Sequence, residues 1–295
     1  MEIVKKLEDI ASLKENSIIA GEGLSLKNST ITFRGTNKIL YAEEGVVLEG
    51  CSISFGGDHA VVYLSKSNRP YRLSMNAFRE TTVFFGHDNY FNNKLTASVS
   101  EHQNLIVGND CLFSLGISMR TADAHPVYSV DTKERISLSR SIFVGDHVWM
   151  AQDVLIMGSE IGSGAVLRER MVATAATIPS NTLWAGNPAR QIQKDVFYTN
   201  ESVHNWNSAQ TNANHSKHAP EFIYQEDDTP RNSLEKIDIL LKCQTNAQDR
   251  LEQVQLLLTN CTDKNRFFIP CPDIPQADEK TSASVPTWKK FFRKK

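Results

Sequence analysis

Residues 144–173 read VGDHVW MAQDVL IMGSE IGSGAV LRERMV A, and this stretch decides the fold. An apolar residue recurs every six positions at Val144, Met150 and Ile156. Ile161 comes one residue early, and Leu167 and Ala173 resume the six. A half-buried strand repeats every two residues and a helix every 3.6, so neither accounts for this spacing. A six-residue period means a short strand plus a tight corner, repeated. The same phase appears upstream at Val107, Phe113 and Met119, at Phe85, Phe91 and Ala97, and at Tyr41, Val47 and Ile53. The recurring residue is expected to point inward, with a small residue such as Gly86, Gly108 or Gly145 behind it. One such rung cannot bury its own inner face, so rungs must stack into a parallel solenoid. The expected class is all-β, a hexapeptide-repeat solenoid with a C-terminal α-helical appendix.

Working outward, the register breaks between Met119 and Ile142, where RTADAHPVYSVDTKERISLSRS is polar and carries no rungs. In a regular solenoid this segment must loop out from the wall, and loops held on rigid scaffolds collect function. The expected organisation is a β-helix domain over 1–200 with an extended loop over 120–141. A polar connection over 201–231 follows, then a helix over 232–260. Asn232 is its expected N-cap with Glu235 three residues on, and Leu234, Ile237, Leu241, Leu251, Val254 and Leu258 form its apolar stripe. Gln244 and Gln248 interrupt that seam, so the helix is expected to pack on the solenoid or around an oligomer axis. The remainder, 261–295, is a Pro-rich linker ending in TWKKFFRKK, an aromatic and basic segment able to touch an anionic membrane surface.

Composition excludes several classes. The 295 residues are 40% hydrophobic and 22% charged, enough to bury a core. Lys plus Arg total 32 against 34 Asp plus Glu, a net charge of −2, so no chain-wide basic footprint for nucleic acid exists. No run approaches the roughly 18 apolar residues of a membrane span. Residues 1–15, MEIVKKLEDIASLKE, lack the apolar core of a signal peptide. The five cysteines, at 51, 111, 243, 261 and 271, form no CxxC and suit neither a disulfide framework nor a zinc site. A cytoplasmic location with reduced thiols is expected.

The stretch VGDHVWMAQDVLIMGSEIGSGAVLRERMVATAATIPSNTLWAGNPARQI resembles the hexapeptide-repeat acyltransferases, which are left-handed parallel β-helix enzymes. RTADAHPVY resembles the looped-out segment that carries the family's catalytic histidine. With GDHVW downstream, it is most like the branch that O-acetylates bacterial surface polysaccharides: capsule, lipopolysaccharide and polysialic acid. The match is strongest over 104–193 and absent after about 206.

The resemblance implies transfer of acetyl from acetyl-CoA to a sugar hydroxyl by direct attack, in a homotrimer with sites between subunits and no metal. His125 is the implied general base, since imidazole takes a proton near neutral pH. Asp123, two residues earlier, faces the same way in an extended segment and is placed to orient it. Arg120 and Tyr128 in the same motif are assigned to the acceptor. Trp149 would wall the acceptor pocket, and His147, two residues earlier, reads as a surface residue. Met150 and Ala151 would flank the reactive end of the donor. Asn187 and Arg190 of AGNPAR would lie near its nucleotide.

The family's IGAGS is here LRERM, and lysines usual near these rungs are missing. Arg168 and Arg170 therefore either supply the phosphate charge or mark a weakened donor groove. The second reading is a non-enzymatic scaffold whose groove has decayed. A zinc enzyme of the γ-carbonic-anhydrase type would need clustered histidines, and the contexts of His87, His102, His125 and His147 do not resemble its ligands.

Overall fold

The computed structural model describes residues 1–272, so the basic–aromatic tail lies outside the described residues. The solenoid is a left-handed parallel β-helix with three faces. Each coil runs from the second face to the third, then to the first. The first face stacks eight strands from Glu2–Val4 to Val172–Thr174. The second stacks eight from Ser17–Ala20 to Thr177–Ile178. The third runs from Tyr90–Phe91 to Thr182–Ala185, and Arg190–Lys194 closes it antiparallel; Ser25–Lys27 and Val47–Glu49 pair below.

Two coil lengths coexist. Thr82 pairs with Asn104, and coil-to-coil bonds in this half span 22 residues. Phe143 pairs with Glu160, and the corresponding bonds there span 17. The shorter coil is three hexapeptides less one residue, which is why Ile161 comes early. Val144, Met150, Ile156, Ile161, Leu167 and Ala173 are all fully buried in the interior.

The period is less faithful in the first coils. Ile53 points inward, but Tyr41 does not. It belongs to an outward column with Tyr63, Phe84, Ile106 and Phe143, while Leu40, Val62, Val83, Leu105 and Ile142 face the core. On the third face Leu48 is the buried residue and Val47 stands outside it. For Tyr41 the reason is that the second face is apolar on both sides, so spacing alone does not choose the inner one.

The outward column is roofed by helices. Tyr41 stacks on Tyr63 at 4.6 Å, and Tyr63 lies 5.4 Å from Phe84. Ile237, Leu241, Leu251, Val254 and Leu258 pack over them. The appendix is thus packed on the solenoid. It is not one helix: after α1 (Ser208–Ala213) come α2 (Leu234–Lys242) and α3 (Ala247–Val254), broken between Cys243 and Asn246. Ser233, not Asn232, caps α2 by accepting from the Lys236 amide, and Asn246 caps α3. Arg250 fills the elbow, fully buried. Its guanidinium donates to the carbonyls of His59, Leu241 and Gln244 and to Thr82 Oγ1, and burial pulls its pKa below the ordinary arginine value. Those bonds satisfy carbonyls that the break in the helix would leave bare. No helix among the described residues is long and apolar enough to cross a membrane.

At the corner between the second and third faces, glycines let coils touch. A Cβ on Gly108 would lie 2.7 Å from the Gly145 carbonyl carbon, and one on Gly145 would lie 2.4 Å from the Ser163 amide nitrogen. Gly145→Ala is expected to lower stability by about 1–3 kcal/mol through overpacking, read as a drop in melting temperature. An unchanged melt would show that the coils are looser than described.

Candidate active site

The arm between Arg120 and Ile142 leaves the first face and returns on the second. Its root is tied down. Thr121 Oγ1 donates to the Ser100 carbonyl at 3.1 Å, and the Arg140 amide donates to the Thr121 carbonyl at 2.9 Å. Arg135 pairs with Glu101 at 2.9 Å and holds that carboxyl below its ordinary pKa. The arm is closed on itself by the Ile136 amide donating to Val127 and by a bridge between Tyr128 and Arg135.

His125 precedes this closed part of the arm and is exposed, with no hydrogen bond to any described residue. Asp123 is half-buried, and no hydrogen bond joins it to His125, so the orienting contact expected of it is absent in the single chain. Arg120 is exposed on the last strand before the arm. Around the histidine, Val127, Tyr128, Val130, Ile136 and Leu138 all stand exposed. Exposed apolar groups gathered on one arm signal contact with another surface.

The arm is also clamped from behind. Asp238 of α2 accepts from Ser141 Oγ at 2.5 Å and from Asn104 Nδ2 at 2.8 Å, and Lys242 reaches both Asp238 and Gln103. A cavity of about 250 Å³ lies between this clamp and Glu160.

Trp149 occupies the third face, away from the arm's corner. It stands in the outward column Leu112, Trp149, Val166 and Leu183, while Phe113, Met150 and Leu167 beside it face the core. Met150 is fully buried, so its side chain belongs to the core. The Trp149 indole N–H points to Ser114 Oγ at 3.5 Å.

His147 is not the surface residue that the sequence reading expects. It is 1% exposed. At this corner the second residue after each glycine takes a left-handed backbone: Asp88, Asp110 and His147. His147 therefore sits directly over Asp110, with Nδ1 2.7 Å from its carboxylate, while Nε2 lies 3.0 Å from the Tyr198 carbonyl. Both ring nitrogens thus face oxygen atoms that accept hydrogen bonds. Its two faces are covered by Tyr198 and Phe222, each at 4.1 Å and 8°. A neighbouring lock joins Arg266 to Asp146 through bonds of 3.0 and 2.8 Å. Burial works against the Arg266 charge, but the Asp146 carboxylate outweighs it and holds the pKa above the ordinary value. Sequence reading missed both contacts because Tyr198, Phe222 and Arg266 each lie 50 or more residues away in the chain and Asp110 lies 37 away. The signal that was present is GDH at a corner, where an exposed histidine would need no left-handed column.

The remaining candidates gather at the corner between the third and first faces. Arg168 and Arg170 are exposed there, and Asn187 and Arg190 lie one coil above. Ala151, 7% exposed, leads from Trp149 into the same corner. Arg168 is paired with its neighbour Glu169, whose carboxyl the guanidinium pulls down to about 2. Arg170 lies 3.9 Å from Asp153, and Arg190 donates to the Ala189 carbonyl. The chain thus gathers Trp149 and the basic residues on one edge and places His125 on another. His87, His102 and His147 each have separate partners, and no group of three possible metal ligands forms among the described residues.

No protein-family model matches the chain. It is similar to a polysialic acid O-acetyltransferase of Escherichia coli O1:K1 / APEC, 26% identical over 100 residues, 34% of this chain and 33% of the relative. It is also similar to a polysialic acid O-acetyltransferase of Neisseria meningitidis, 33% identical over 60 residues, 20% of this chain and 28% of the relative. The chain therefore spans a third or less of the length of these curated relatives. Among solved structures it shares its fold with the polySia-specific acetyltransferase NeuO at a TM-score of 0.57 and 24% identity, over 68% of this chain and 93% of that one. The resemblance read from the sequence is thereby borne out.

One stability test follows from the arm's root. Burial, with the charges of Asp238 and Glu235 nearby, raises the Glu160 pKa above its ordinary 4.5. The native state then keeps this proton to higher pH than the unfolded chain, so Glu160 costs stability once pH rises past 4.5. Glu160→Gln is expected to raise the melting temperature at pH 7, with the gain shrinking toward pH 4. A gain independent of pH would refute this account.

Proposed function

We propose that this chain transfers an acetyl group from acetyl-CoA to a hydroxyl of a bacterial surface polysaccharide or its precursor. The observation that carries the reading is an imidazole, His125, exposed and without a hydrogen bond among the described residues, on a rooted arm in the RTADAHP context. The activity named for the matched relatives supports it.

In the reaction, the sugar hydroxyl oxygen bonds to the thioester carbonyl carbon while its proton passes to His125. The carbon–sulfur bond then breaks, and the departing sulfur takes the proton back. The products are an O-acetyl ester and free coenzyme A. Direct attack needs both substrates held together, and the order of the candidate residues suits that. Trp149 lines the acceptor side, with Arg120 and Tyr128 reaching toward the glycan. Ala151 and the Met150 backbone flank the thioester. Arg168, Arg170, Asn187 and Arg190 provide polar and cationic groups for the nucleotide end.

Because His125 and Trp149 occupy different edges, we infer that a complete site needs the arm of a second copy, as in a homotrimer. The exposed apolar rim of the arm supports that contact. Asp123 would find its orienting role only in that setting. We place the enzyme in the cytoplasm, where acetyl-CoA is available, with the C-terminal tail as a candidate membrane contact.

His125→Ala is expected to lower kcat by about 10²–10⁴-fold, with melting temperature and oligomer size unchanged. Near-normal turnover would refute the assignment. The rival scaffold reading draws on Glu169, which neutralises Arg168 in the expected donor groove. Calorimetric titration with coenzyme A separates the two: heat and protection against melting support the enzyme, and neither supports the scaffold.

A further inference from the structure

We propose that Tyr198, pinned by His147, is a positioning residue that fixes the indole of Trp149. This rests on the reading of Trp149 as part of the acyl-transfer site.

Trp149 needs an outside brace. Its neighbours along the outward column are aliphatic, Leu112 and Val166, and its one side-chain hydrogen bond among the described residues, to Ser114, is at the 3.5 Å limit. The Tyr198 ring supplies the brace. Its centroid lies 5.7 Å from the indole at 45°, a tilted aromatic contact.

Tyr198 belongs to no strand, so its own place must be set by something else. Three contacts do that. Its ring lies flat on His147, and its carbonyl accepts from His147 Nε2. Two residues on, Asn200 Nδ2 donates to the Asp110 carboxylate that also binds His147 Nδ1. Phe222 closes the opposite face of the imidazole. The result is a column, Phe222–His147–Tyr198, whose free end bears on Trp149. The chain that follows the solenoid thereby folds back to brace a residue made by the solenoid.

The Tyr198 hydroxyl is buried without a hydrogen-bond partner among the described residues, and burial pushes its pKa well above the ordinary phenol value. A tyrosine retained for its hydroxyl would have that group satisfied. The ring is therefore the working part, and Tyr198→Phe should preserve the brace.

The test labels the full chain with 5-fluorotryptophan and assigns the Trp149 resonance by its loss in Trp149→Phe. Tyr198→Phe is expected to leave that ¹⁹F resonance in place. Tyr198→Ala and His147→Asn are expected to shift or broaden it, with Tyr198→Leu used should the alanine variant fail to fold. In acetyl transfer, Tyr198→Ala is expected to lower kcat/KM about tenfold through the displaced indole, and Tyr198→Phe to stay within about twofold of the wild type. Tyr198→Ala combined with Trp149→Ala should fall no further than Trp149→Ala alone, because the two changes act through one group. An unmoved resonance in Tyr198→Ala, or fully additive kinetic losses, would overturn the proposal. If the wild-type chain transfers no acetyl, the functional reading fails while the ¹⁹F measurement still decides the brace.

Discussion

Close approach of one coil to the next is the constraint from which the rest of the molecule follows. A single turn of this solenoid has no buried inner face of its own, so each rung depends on its neighbours. Strand pairing brings the backbones together, and at one corner Gly86, Gly108, Gly145 and Gly162 stack where a Cβ would strike the coil above. With the coils in that register, inward residues form continuous columns. The second residue after each glycine also repeats its left-handed turn. That repetition sets His147 over Asp110 and turns Trp149 outward two residues later.

Each edge of the prism then takes a different task. One corner is sealed by the returning chain, through the His147 column and the Arg266–Asp146 pair. A second carries exposed arginines beside AGNPAR. The third throws out the arm with His125. The second face is closed by α2 and α3, and Asp238 reaches from that roof to the arm's root. The helical appendix therefore contributes to the arm's placement although it carries no candidate catalytic residue.

The solenoid could be read from the sequence because a six-residue apolar period has few other physical meanings. The arm could be read because a polar break in a regular repeat must leave the wall. The inner side of the first coils could not, since Leu40 and Tyr41 are both apolar and both needed, one for the core and one for the helices. The elbow between α2 and α3 was hidden because Arg250, which satisfies the interrupted carbonyls, is held there by His59 and Thr82 of the solenoid, far away in sequence. His147 was misread for a related reason. Its burial is made by Tyr198 and Phe222, and nothing local to GDHVW announces them. The distance between His125 and Trp149 in the fold also lies beyond any motif, since both match one family pattern while standing on separate edges.

The central claim is that thioester and imidazole meet where the third face of one copy receives the arm of another. A crystal structure of the full chain soaked with coenzyme A tests it most directly. The account requires the sulfur to lie beside Trp149, within reach of His125 from a neighbouring copy. It is contradicted if the sulfur binds elsewhere, or if every His125 in the assembly faces only solvent.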